Sequence, residues 1–113
     1  MHEDLLRAAY AAFNARDIDA VLSLMTADVS WPRAFEGDHV TGVDAVRAYW
    51  TQQFTEIDAR VEPVGFRPGP DGTVDVDVHQ VVRDLAGAVL SDTHVVHRWT
   101  IVEGRVERMD IEE

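Results

Sequence analysis

The chain has 113 residues, of which 46% are hydrophobic and 27% charged, the length and balance of one globular domain covering residues 1–113. Twenty-one acidic residues against ten arginines, with no lysine, give a net charge of −11, which opposes partnership with nucleic acid or an anionic membrane. The absence of cysteine excludes disulfide and thiolate chemistry, and no stretch reads as a signal peptide or a membrane span, so a cytoplasmic setting is expected.

From Glu3 to Ala15, the apolar residues Leu5, Leu6, Ala9, Ala12 and Phe13 recur at helical spacing. "NARD" interrupts the pattern, and Asp17 is placed to cap a second helix, "IDAVLSLM". A short strand, "DVSW", follows and is closed by Pro32, and "RAFEGDHVTG" reads as a loop. "GVDAVRAYWTQQF" is a third helix, with Val43, Val46, Tyr49 or Trp50 and Phe54 along one side. The period then drops to two, with strands at 59–67, 73–84, 89–102 and 105–111 joined by "PGPDG", "LAG" and "EG" turns. Three helices followed by an antiparallel meander predict an α+β fold, a curved antiparallel sheet with three N-terminal helices packed on its concave face.

The run "YAAFNARDIDAVLSLMTADVSW", then "TGVDAVRAYWTQQF", then long strands ending "VEGRVERMDIEE", resembles the NTF2-like superfamily, within it the small bacterial SnoaL-like and ketosteroid-isomerase-like domains. The resemblance covers essentially the whole chain. It implies a cone-shaped fold with a pocket between helices and sheet, a homodimer through the sheet, and no cofactor. The family includes isomerases, cyclases, hydrolases and non-catalytic binders, so the fold does not specify a reaction. Aligned without gaps to ketosteroid isomerase, the general-base aspartate falls at Arg33, which cannot abstract a proton at neutral pH. The oxyanion-hole tyrosine of the first helix falls at Ala9, with Tyr10 about 100° around the helix. The pocket tyrosine of the third helix falls at Trp50, and the second oxyanion acid falls near His97.

His97 also follows from strand alternation. If "DLAG" is a four-residue turn, Val82 faces Val89 and Val74 faces His97. Val74, Val76, Val78, Val82, Val89, Val95, His97, Trp99 and Ile101 then share one apolar face, and His97 points inward unless a bulge intervenes. An interior imidazole is either an acid or base or a satisfied core residue. A two-residue "EG" turn would set His97 opposite Asp110 as base and orienter. The same register turns Met109 and Ile111 outward although both look like core, so either the dyad fails or the strand is bulged. Arg33 would bind a ligand carboxylate or enolate, or else pair with Glu36 or Asp38. His39, near the expected pocket mouth, would act as a gate or ligand contact.

The opposite face carries Asp75, Asp77, His79, Asp92 and His94, but without the spacing of a metal motif, and no metal is expected there. Tyr10, Phe13, Trp31, Phe35, Trp50, Phe54, Trp99 and Met109 form the apolar set expected to meet a small hydrophobic ligand. Two functions remain open: a cofactor-free enzyme using His97 and Arg33 or a tyrosine, or a non-catalytic binding or dimerisation module. The ligand reading calls for an enclosed cavity of at least about 300 Å³ against His97, lined by Trp50 and Trp99. A filled core there would leave a structural or interaction module.

Overall fold

The computed structural model describes residues 2–33 and 36–112. Three helices, α1 (Glu3–Asn14), α2 (Ile18–Leu22) and α3 (Val43–Glu56), pack on one face of an open six-stranded sheet. The strands are β1 (Met25–Arg33), β2 (Asp38–Thr41), β3 (Ile57–Pro68), β4 (Val74–Asp84), β5 (Val89–Val102) and β6 (Arg105–Glu112), in the order β2-β1-β6-β5-β4-β3. None of the described helices is long and apolar enough to cross a membrane.

The sheet is mixed, since β1 runs parallel to β6. This corrects the expectation of an all-antiparallel sheet. The pair forms because α3 and four strands intervene between β1 and β6, leaving the chain free to return in either direction. Part of the expected loop at 33–42 is the short strand β2, paired with β1 from Ser30↔Thr41 to Arg33↔Asp38. Met25, read as the end of the second helix, instead begins β1.

α1 buries Leu6, Ala9 and Tyr10, a stripe at helical spacing. Asn14, at its last turn, hydrogen-bonds like a strand neighbour: Nδ2 donates to Val61 O at 2.7 Å and Oδ1 accepts from Val61 N at 3.0 Å. α2 is capped by the Asp17 carboxylate, which accepts from Ala20 N at 3.1 Å.

Two irregularities set the register of β5. The β4–β5 loop holds three residues rather than four, with Asp84 N donating to Ala88 O at 2.9 Å and Gly87 in the left-handed region at φ 96°. That change alone would turn His97 outward. Leu90 is then bulged out between the pairs Arg83↔Val89 and Val82↔Ser91, and the second one-residue shift cancels the first. The observed pairs Val78↔Val95, Val76↔His97 and Val74↔Trp99 keep His97 on the helix-covered face, two residues from the expected register. Val89 departs from that face: it lies beyond the bulge and is 55% exposed.

Between β5 and β6 the turn matches the two-residue expectation, with Val102↔Arg105 paired and Glu103 and Gly104 at φ 52° and 78°. A bulge at Glu107 follows, so His97 faces Ile111 and Trp99 faces Met109. Met109 is therefore buried in the core.

Candidate functional site

The strands deliver His97 and Trp99 to the sheet's inner face, and the buried stripe of α1 lays Tyr10 over both. Trp99 Nε1 donates to the Tyr10 oxygen at 3.0 Å, and that oxygen lies 2.7 Å from His97 Nδ1. An indole N–H only donates, so the arrangement giving every proton an acceptor has Tyr10 O–H donating to Nδ1. The imidazole then carries its proton on Nε2, an atom with no hydrogen-bond partner among the described residues. Burial lowers the His97 pKa from 6.5 to about 4, which keeps the ring neutral, and it raises that of the Tyr10 phenol. At neutral pH the group is a hydrogen-bond donor and a poor base.

Asp110 is not its orienter. The Glu107 bulge places Asp110 opposite Arg98, where it accepts from Arg108 Nε at 2.9 Å and lies 3.2 Å from His39 Nε2. Arg108 holds the Asp110 carboxyl below its usual pKa. The orienting residue is Tyr10, one position from the residue that the gapless alignment assigned to the family's tyrosine.

Arg33 commits its guanidinium to Asp38, with Nε–Oδ1 at 2.7 Å and Nη2–Oδ2 at 2.6 Å. His39 Nε2 also lies 3.2 Å from Met109 O. Phe13 meets Trp50 and Phe54 edge-on at 5.6 and 5.3 Å, and Trp31 stands between Trp50 at 4.9 Å and Trp99 at 5.7 Å. Phe54 carries the Arg16 guanidinium 4.4 Å above its ring. Phe35 lies outside the described residues.

These aromatics fill most of the interior. Two small chambers reach His97, one of about 40 Å³ under Tyr10 and Trp99, the other of about 60 Å³ beside Trp50 and Met109. Neither is the enclosed cavity expected from the sequence, because three tryptophans interlock edge to face where that space would be. The second chamber shares Pro32, Gln80 and Ile111 with an open groove of about 340 Å³, which runs past Arg33, His39 and Asp110. The groove falls at the small end of the ligand-pocket range, and the chamber admits a single polar group or water.

Gln80 was missed in the sequence. The signal was present, a lone amide at an inward position of the alternating Val74, Val76, Val78 and Val82. On the outer face, Asp75 is held below its usual pKa by a paired contact with Arg98, at 2.9 and 3.1 Å. His79 Nε2 lies 2.7 Å from Asp92 and its ring stacks on His94 at 4.8 Å. Among the described residues, no three histidines or carboxylates gather so as to hold a metal ion.

A model of the SnoaL-like domain matches residues 6–109. Among solved structures, the chain is similar to TerC co-crystallized with polyporic acid, at 28% identity over 97% of this chain and 88% of that one, with a TM-score of 0.83. It also resembles an NTF2-like protein of unknown function from Burkholderia pseudomallei (25% identity, 98% and 88% coverage, TM-score 0.84). A putative polyketide cyclase from Sinorhizobium meliloti, at 22% identity, 96% and 94% coverage and TM-score 0.81, shares the fold. Among curated proteins none matches the sequence. The chain belongs to the SnoaL-like domain family, on an NTF2-like α+β fold.

Proposed function

We propose that this domain binds a small, flat hydrophobic molecule in the open groove that runs along the sheet past Pro32, His39, Gln80 and Ile111. It acts there by polarising an oxygen of the ligand, in a reaction of cyclase or isomerase type. The observation that carries this reading is the Trp99–Tyr10–His97 relay, with hydrogen bonds of 3.0 and 2.7 Å, which leaves a neutral imidazole with its Nε2 proton unclaimed. A preorganised neutral donor in a dry site stabilises negative charge developing on a carbonyl oxygen without first giving up a proton. The co-crystallisation of TerC with polyporic acid supports a small organic ligand, and the putative polyketide cyclases among the structural neighbours support a reaction of cyclase type.

A non-catalytic binder on the same scaffold is the second reading. It is favoured by the filled interior around His97, where chambers of about 40 and 60 Å³ stand in place of the enclosed cavity that a catalytic ligand site called for. It is favoured also by the commitment of Asp110 to Arg108 and His39, which leaves His97 without a carboxylate base. We further propose that the domain forms a homodimer through the outer face of its sheet.

The test is to titrate the protein with flat aromatic ketones and quinones, then to assay rearrangement of those that bind. His97→Asn, which keeps an acceptor for Tyr10 but loses the Nε2 proton, should retain folding and lose turnover by roughly 100-fold, the size of one oxyanion donor. Binding without turnover by the unmodified protein would select the binder reading. Saturable binding by none of them would reject both.

A further inference from the structure

The bulge at Glu107 that removes Asp110 from His97 sets it beside another histidine, His39. His39 lies on β2, opposite Pro32 of β1, and the last β1–β6 pair is Ser30↔Arg108. One residue further along β6, His39 Nε2 lies 3.2 Å from Met109 O, and it lies 3.2 Å from Asp110 Oδ1 as well. A backbone carbonyl only accepts, and so does an ionised carboxylate. Asp110 is ionised: Arg108 Nε reaches its two oxygens at 3.1 and 2.9 Å and holds the carboxyl below its usual pKa. The proton of the neutral His39 ring therefore sits on Nε2, and Nδ1 carries the lone pair. Nδ1 has no hydrogen-bond partner among the described residues.

His39 and Asp110 both line the groove of about 340 Å³, and the His39 side chain is 25% exposed. The groove's other carboxylate, Asp38, is closed on Arg33. His97 does not compete for this task, because burial leaves it a neutral donor and a poor base.

We infer that His39 is the base of the groove, taking a proton on Nδ1 from an acidic C–H of a flat ligand, with Asp110 as the residue that positions its ring. In that step the C–H bond breaks and its electron pair stays with the ligand. The ring becomes an imidazolium whose Nε2–H still faces the Asp110 carboxylate, which stabilises the new charge. The proton then returns to another atom of the ligand or leaves to water, since the groove is open. This rests on the groove reading above and adds the ligand class, a carbon acid, and the residue that acts on it. His39, expected from the sequence to be a gate or ligand contact, becomes the proton acceptor.

The probe is 5-nitrobenzisoxazole, a flat bicycle with one acidic C–H in its heterocycle. Removal of that proton breaks the ring N–O bond and releases a coloured nitrophenolate. No carbonyl oxygen has to be polarised, so the reaction reads the base and leaves the part of His97 aside. The full chain should turn the probe over with saturation, and His39→Ala should lower the saturated rate roughly 100-fold, the usual worth of a positioned base. His2 and His94, exposed elsewhere, remain in that variant and set its background. Added imidazole should restore part of the activity of His39→Ala, which a merely structural role would not allow. Asp110→Asn should lower the saturated rate about tenfold with KM unchanged, the size of one hydrogen bond to a charged group, and Asp110→Glu should recover most of it. In the unmodified protein, ¹⁵N spectra of the imidazoles should show His39 protonated at Nε2 and bare at Nδ1, a readout that stands even if a variant fails to fold.

A proton on Nδ1, or a His39→Ala variant as fast as the unmodified protein at saturation, would overturn the base while leaving a ligand in the groove. If the probe shows no saturable binding, the groove reading fails and the base with it.

Discussion

His97 shows how one residue's surroundings set its chemistry. Its pKa falls from 6.5 to about 4 through desolvation, so the folded state holds the ring neutral where the unfolded chain would protonate it. Between those values the unfolded state binds more protons, and stability therefore rises with pH. The contribution is complete above pH 6.5 and is lost as pH falls toward 4, a shift worth about 3 kcal/mol. The lowered aspartates Asp38, Asp75 and Asp110 act in a different window, below their unfolded value of 3.8. Urea denaturation across pH 4 to 6.5 should show a steep slope in the unmodified protein and a shallow one in His97→Asn. An unchanged slope would mean that the imidazole is already charged when folded.

Among the secondary elements, docking depends on polar clamps as much as on apolar stripes. Asn14 ties the end of α1 to β3 by satisfying both backbone groups of Val61, at 2.7 and 3.0 Å. Asn14→Ala orphans a half-buried N–H and C=O together and should cost about 2 kcal/mol in unfolding free energy. Asn14→Asp keeps the acceptor but loses the donor, and should fall between the two in chemical denaturation. A neutral Asn14→Ala would mean that water replaces the clamp. The bulges at Leu90 and Glu107 work differently, by choosing which residues face inward. The first returns His97 to the helix side, and the second does the same for Met109 and Ile111.

Across the whole molecule, the two faces of the sheet divide the work. Among the described residues, His97 is the buried polar side chain of the helix-covered face of the sheet, with Gln80 half-buried on the same face. The outer face carries linked ion pairs: Arg98 binds Asp75 at 2.9 Å and Glu112 at 2.7 Å. Two copies meeting through that face each bring a net charge of −11, so their long-range interaction is repulsive. Added salt screens this repulsion, and the proposed dimer should tighten from low to moderate ionic strength in sedimentation velocity. A species that stays monomeric throughout would remove the dimer.

Amphipathic spacing alone determined α1 and α3, and turn chemistry with alternation determined β3 to β6 nearly to the residue, because those signals are local and repeat along the chain. β2 was not legible, since four residues with a single apolar member carry no period and pair only because β1 lies beside them. The parallel β1–β6 contact brings together segments some eighty residues apart, which no local pattern encodes. His97 was found as an inward histidine, but its partner was not. Whether Asp110 or Tyr10 orients it depends on a one-residue bulge in β6, and a single-residue shift reverses every side chain beyond it. The unpaired Trp50 nitrogen is likewise a property of packing: composition counts the indole, and only its neighbours in space leave the N–H without an acceptor.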